Sequence, residues 1–397
     1  MKILNKLIHV RSTTQKFNLS SQLSLRTLST QNTSLNGPLI IEYSQLIKGG
    51  DYAFEILDKA YSDKGLGTML VRVQPNDAQN YIKNHQRLAQ AMQKLSEMPE
   101  EKLRYLEMPE LEWGHGWNPG KDGYLEGADT LQASYYANLA QEEYIDHQGK
   151  LWKNIWPDNE VKELKEQYLN TGLYVKKVGL KLADCLDKFL TQNVQNYETS
   201  IFKALNESPK LAARSIYYRP PNHTSENNLP KNWCSWHKDY SYITGLIPGT
   251  FIDKQGKVHE EFNDPEAGLF IQKRDYQILK LDIPRDCIAF QLGELAQVVS
   301  GGLLQALPHA VMMTKKRNDL ARVSMALFME PDYSQPIKMP QGTNIDRVLV
   351  KQDREHKLSP LEERWQDGMS FGDYYENCRK SFSYAAQIDN KQQQQGM

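Results

Sequence analysis

Apolar positions fall into two regimes along the chain, with the change near residue 210. In the first, "PLIIEYSQL" (38–46) is apolar and extended. Asp51 is placed to cap a helix over "YAFEILDKAYSDKG", and Gly65 or Gly67 ends it before the strand "TMLVRV". Asn76 or Asp77 then caps a long helix through "AQNYIKNHQRLAQAMQKLSEM". Residues 109–150 are rich in Gly, Trp and Tyr without a clear period and read as irregular. After Pro157, the residues Val161, Leu164, Tyr168, Thr171, Val175, Val178, Leu182, Cys185 and Phe189 step by three and four. That stripe predicts a helix with one face packed on a sheet.

In the second regime, short apolar or alternating runs are separated by Gly, Pro, Asn and Asp: "ARSIYYR", "SYITGLI", "AGLFIQK", "QILKLDI", "DCIAFQL", "LAQVVSG", "LLQALPHAV" and "ARVSMALFM". Many short strands with turns between them indicate a β-sandwich or jelly roll. The tail "SPLEERWQDGMSFGDYYENCRKSF" returns to helix from Ser359-Pro360, and "NKQQQQGM" is polar and of low complexity. The expected class is α+β, mainly β, with N-terminal and C-terminal helices outside a jelly roll. The expected layout is a tail or transit segment over 1–30, a helical N-terminal domain over 38–205, and the jelly roll over 210–335. A helical extension over 336–385 and a disordered end over 386–397 complete it.

Composition narrows the function classes. The 397-residue chain has 48 Lys plus Arg against 49 Asp plus Glu, and no basic block marks a nucleic-acid face. Its four cysteines are scattered without a C-x-x-C pair, which argues against a disulfide framework or a zinc ribbon. The N-terminus is different. It has no acidic residue before Glu42, carries Lys2, Lys6, Arg11, Lys16 and Arg26, and is rich in Ser and Thr. On a helix, Leu4, Leu7, Ile8 and Arg11 separate apolar from basic faces. This is the composition of a mitochondrial transit peptide directing the chain to the matrix; a plain basic tail would leave it in the cytoplasm. The apolar runs there are too short for a membrane span.

The chemistry centres on "WCSWHKDYSYITGL" (233–246), which holds His237-x-Asp239. The spacing alone is weak: nine histidines and 49 acids produce such a motif about once by chance. It also occurs at His259-x-Glu261, among Lys, Gln, Gly and acids, as in a solvated loop. His237 and Asp239 instead lie in an apolar, aromatic run. On a strand, i and i+2 share a face, so the pair converges on one point. A third ligand from another strand would complete a 2-His-1-carboxylate face on Fe(II), and His309 in "SGGLLQALPHAVMM" is the candidate. Thirteen residues later, Arg322 and Ser324 are again i and i+2 in "ARVSMALFMEP". An arginine turned into an apolar interior needs an anionic partner, and a dicarboxylic cosubstrate would supply one through paired hydrogen bonds.

At these residues the chain resembles the Fe(II)/2-oxoglutarate-dependent dioxygenases of the isopenicillin N synthase-like type. "HKDYSYITGL" is similar to H-x-D-x-S-x-L-T-x-L, and "FQLGELAQVVSGG" resembles I-x-x-G-D-x-x-x-x-x-S-N-G. "RVSMALFMEP" matches R-x-S-x-x-x-F-x-x-P, and "ARSIYYRPP" resembles R-x-N-Y-Y-P-P, with Ile216 for the usual Asn and Arg219 inserted before Pro220-Pro221. The resemblance covers about 39–380. It implies a distorted double-stranded β-helix, His237, Asp239 and His309 as iron ligands, and Arg322 and Ser324 on the distal carboxylate of 2-oxoglutarate. Tyr218 falls where the family contacts the same cosubstrate. The implied reaction is hydroxylation or desaturation of a small organic substrate by O2, with 2-oxoglutarate converted to succinate and CO2. About 16 residues more than the family has lie between the ligands, within 247–268, as a lid or a surface for a protein partner.

Two other readings compete. A catalytically silent subunit of a mitochondrial assembly would keep the fold and use the insertion and the aromatic segment "WGHGWNPGKDGYLEGADTLQASYYANL" as contact surfaces. A zinc hydrolase would leave Arg322-x-Ser324 without a role.

Overall fold

The computed structural model describes residues 37–111, 113–120, 131–146, 148–221, 232–350 and 359–381. The expected transit segment at 1–30 and the expected disordered end at 386–397 lie outside the described residues.

Two sheets form the framework. The larger runs in the order Leu39–Glu42, Thr68–Arg72, Cys287–Leu292, Ile243–Leu246, Ala321–Met329, Leu211–Tyr218, Gln132–Asn138 and Gly116–Asn118. Thr250–Ile252 also pairs with Ala321–Met329. Only the pairing of Leu39–Glu42 with Thr68–Arg72 is parallel. The smaller sheet is antiparallel, in the order Ile278–Lys280, Gly268–Gln272, His309–Met312 and Asn232–His237. Strands from before residue 139 and from after residue 210 share the larger sheet.

The period of two along each strand sorts residues into two cores. Along Ala321–Met329, the residues Val323, Met325, Leu327 and Met329 join the core on the helical side, where Tyr168, Val175, Val178 and Leu182 of helix Glu163–Asn193 are fully buried. Each such side chain contributes about 1.5–3 kcal/mol of burial. The helix approaches closely because Gly179 has no side chain; a Cβ there would overlap Met329. The alternate residues, Arg322, Ser324, Ala326 and Phe328, face the cavity between the sheets. A second apolar cluster closes that space, with Trp233, Leu269, Ile271 and Val311 of the smaller sheet against Leu70, Tyr218 and Ala289 of the larger.

Several local expectations are corrected. Residues 109–150 are not irregular throughout: Gly116–Asn118 and Gln132–Asn138 extend the larger sheet, and Glu143–Ile145 pairs with Leu151–Lys153 in a separate two-stranded sheet, partners that composition does not reveal. The run "LAQVVSG" lies in the helix Glu294–Val299, buried at every position, where periodicity does not separate helix from strand. Helix Asp51–Tyr61 is capped by Gly50, with Asp51 in its first turn. Helix Pro75–Ser96 starts one residue before the expected caps, with Gln74 as N-cap and Pro75 where a missing N–H is harmless. "PLIIEYSQL" is strand only to Glu42 and then turns into helix Tyr43–Lys48.

The 247–268 segment docks on helix Pro75–Ser96. Gln86 binds Glu260, Gln90 donates to the Gly256 carbonyl, and Gln93 donates to the Lys254 carbonyl. Among the described residues, no helix is long and apolar enough to cross a membrane.

Candidate metal centre

The smaller sheet sets two histidines side by side. His237 is the last residue of Asn232–His237, and His309 is the first of His309–Met312. Their antiparallel register places them directly opposite one another, with ring centroids 4.1 Å apart. Asp239 is not on the strand as expected, but two residues beyond its end. The turn still brings its Oδ1 to 3.8 Å from Nε2 of both histidines. One ligand atom from each of His237, Asp239 and His309 lies within 4.8 Å of the others, the only such group of three among the described residues. His259 is elsewhere: it pairs with Asp253 at 2.9 Å inside its own loop, half-buried rather than solvated.

The donor set fits a divalent cation. Asp239 is 6% exposed, and its Oδ2 has no hydrogen-bond partner among the described residues. A buried carboxylate oxygen left this way is costly unless a cation completes it. The Nδ1 of His237 lies 2.8 Å from the Ser235 carbonyl. Donation there fixes the proton on Nδ1 and aims the Nε2 lone pair at the site. On His309, Nδ1 is 2.7 Å from the side-chain amide of Gln291, whose Oε1 is buried and has no other partner among the described residues. Turning the amide so that Oε1 accepts from Nδ1–H satisfies both groups and frees Nε2 of His309. Sequence reasoning missed Gln291. Its signal was an amide in a strand, Cys287–Leu292, that is buried at all six positions.

The two imidazoles differ electrostatically. Burial, then the facing His237, push His309 down to about 4, against the pull of Asp239. For His237, burial opposes the charged form, but Cys234, the Asp239 carboxylate and the Ser235 carbonyl outweigh it and raise the pKa to about 9.

Glu294 ties the Asp239 turn to the C-terminal segment. Its N–H donates to the Asp239 carbonyl at 2.8 Å. Its buried carboxylate accepts both arms of Arg364, at 2.6 and 2.8 Å, and the Tyr374 hydroxyl at 2.6 Å. This clamp was also missed, because Arg364 is separated from Glu294 by 70 residues.

Across the cavity, Arg322 and Ser324 occupy one face of Ala321–Met329, as expected for i and i+2. Arg322 is 6% exposed, and no carboxylate lies within ion-pair distance of it among the described residues. Burial pushes its pKa down. Tyr218 sits beside it in the ladder, with the guanidinium 5.5 Å from its ring centre. The Ser324 hydroxyl donates to the Ile247 carbonyl at 3.1 Å. His237, Asp239, His309, Arg322, Ser324 and Tyr218 therefore line one cavity, together with Arg214, Leu246, Leu269, Ile283, Val311 and Phe328.

No protein-family model and no curated protein matches the chain. Solved structures do. A Caulobacter crescentus protein described as of the 2OG-Fe(II) oxygenase family superposes with a TM-score of 0.60 at 17% identity, over 86% of this chain and 98% of that one. A full-length Neurospora crassa protein, solved in complex with alpha-KG and thymine, gives 0.58 at 16% identity over 89% and 98%. JOX2, in complex with 2OG, Fe and JA, gives 0.56 at 17% identity over 89% and 88%. At such identities the likeness speaks for the fold alone, and this chain shares the fold of these solved structures.

Proposed function

We propose that this protein is a non-haem Fe(II), 2-oxoglutarate-dependent oxygenase that hydroxylates or desaturates a small organic molecule. The observation that carries the reading is a pair of unmet electrostatic demands on one cavity. An uncompensated carboxylate stands among two histidines, and a buried guanidinium with no acidic partner among the described residues stands on the facing sheet. One metal and one diacid answer both. We read the two sheets as a distorted double-stranded β-helix; the narrower likeness to the isopenicillin N synthase-like type rests on the quoted motifs.

In this reading His237, His309 and Asp239 hold iron through two neutral imidazoles and a carboxylate. Bound Fe(II) and 2-oxoglutarate supply the activation of O2, with conversion of the diacid to succinate and CO2. The chain does the positioning. Arg322 takes the distal carboxylate through its planar fork, and the Ser324 hydroxyl swings from Ile247 to the same oxygens. Tyr218 walls that end, and Leu246, Leu269, Ile283, Val311 and Phe328 keep water out. Arg214 lines the cavity four residues from Tyr218 on the same strand face, steadied by donation to the Ser134 hydroxyl at 2.8 Å. It gives the substrate a polar contact. Thymine and JA in the related structures are small molecules, in keeping with a small substrate here. The acid-free N-terminus makes the mitochondrial matrix the proposed location.

The test is anaerobic loading with Fe(II) and 2-oxoglutarate, followed by exposure to O2 and measurement of succinate. Stoichiometric succinate with substrate, or slow succinate without it, is expected. Iron binding with no succinate across a metabolite screen would favour the silent-subunit reading.

A further inference from the structure

Residues 247–252 begin the stretch that the sequence offered as a lid or partner surface, yet they are built into the cavity wall. Thr250–Ile252 pairs antiparallel with the strand carrying Arg322, and Phe251 lies opposite Arg322 in register. The Ile247 N–H donates to the Met325 carbonyl at 3.1 Å, and its own carbonyl takes the Ser324 hydroxyl. Between these anchors, Gly249 lies against the Arg322 guanidinium. A Cβ at 249 would overlap Nη2, Cζ and Nε of Arg322. The backbone there is not in the left-handed region, so alanine is conformationally allowed. The three atoms nearest that Cβ all belong to the guanidinium. Tyr218 flanks the guanidinium as well, so the arginine head is held in a slot. An unconfined arginine side chain loses rotamer entropy when a ligand fixes it. A slot removes that cost before a ligand arrives, which is how preorganisation raises affinity.

We propose that Gly249 is a positioning residue: its missing side chain seats Arg322 for the distal carboxylate of the diacid cosubstrate, and residues 247–252 form a wall of that subsite. This rests on the reading of Arg322 given above. A side chain at 249 displaces the fork from its slot and leaves the metal ligands untouched, His237 and His309 on the other sheet and Asp239 just beyond it.

The experiment compares wild type, Gly249→Ala, Arg322→Ala and the double variant. Each is titrated anaerobically with Fe(II), and then with 2-oxoglutarate. Gly249→Ala is expected to bind Fe(II) as wild type does and to bind 2-oxoglutarate at least about tenfold more weakly, the loss of roughly one charge-assisted hydrogen bond. In the Arg322→Ala background, the added Gly249→Ala is expected to change neither affinity nor melting temperature, because the obstructing group is gone. Unchanged 2-oxoglutarate affinity in Gly249→Ala overturns the proposal. Should Gly249→Ala fail to fold, the double variant decides: recovery of folding supports the Arg322 contact, and persistent unfolding refutes it. Wild type that binds Fe(II) but not 2-oxoglutarate would instead remove the cosubstrate reading, and the melting temperatures would still report on the contact.

Discussion

Arg322 offers the sharpest test of the electrostatic argument, through its replacement by methionine. In the absence of a diacid, the guanidinium is 6% exposed and has no acidic partner among the described residues. A guanidinium withdrawn from water without a counter-charge costs at least about 1–3 kcal/mol. Methionine fills similar space without that cost. Arg322→Met is therefore expected to raise the stability of the ligand-free protein by about 1–3 kcal/mol. For a chain of this size each kcal/mol moves the melting midpoint by roughly 1–2 °C, so the rise is about 1–6 °C. Cosubstrate closes or reverses the gap. At a concentration of 100 Kd, a ligand that binds only the folded state adds about 2.7 kcal/mol, or roughly 3–5 °C, to wild type. The methionine variant should gain almost nothing. Arg322→Lys should fall between them, losing the planar fork and weakening 2-oxoglutarate about ten- to a hundredfold. Differential scanning fluorimetry of the Fe(II) protein, with and without 2-oxoglutarate, reads all three. Two results would refute the reasoning: a ligand-free methionine variant that melts several degrees below wild type, or a 2-oxoglutarate shift equal to that of wild type.

The remaining expectations concern metal, acid and targeting. His237→Ala and His309→Ala should each abolish stable Fe(II) binding, whereas His259→Ala, which breaks only a loop contact with Asp253, should leave it intact; equal loss in all three would remove the assignment. Burial pushes His85 and His115 down to about 4, below an ordinary value of 6.5. Their neutral folded forms contribute stability that is present above pH 6.5 and lost as pH falls towards 4, roughly 2 kcal/mol each between pH 7 and 5. Urea unfolding of His85→Phe at the two pH values should show about half of that loss, and an unchanged pH dependence would contradict it. Deleting residues 1–30 should leave a folded protein that isolated mitochondria no longer import; normal import of the truncated chain would count against the matrix.

Much of this protein was legible in one dimension. Most strand positions after residue 210, though not "LAQVVSG", follow from short apolar or alternating runs, and the buried face of helix Glu163–Asn193 from a spacing of three and four, because both periods are properties of the local backbone. The site residues could be nominated for a similar reason: an arginine or aspartate in an apolar strand is expensive, and expense is visible in sequence. What sequence did not decide is which of these groups meet. His237 and His309 face each other because a ladder register sets them opposite, and registers are fixed by the packing of whole sheets. Asp239 reaches the site from a turn, not from the strand that its spacing suggested. Gln291, Glu294 with Arg364, and Gly249 with Arg322 are pairings between residues distant along the chain. Each partner alone looks ordinary: an amide in a strand, an acid at a helix start, a glycine after a proline. Their roles exist only as contacts, and contacts of that kind arise when the two sheets close on one another.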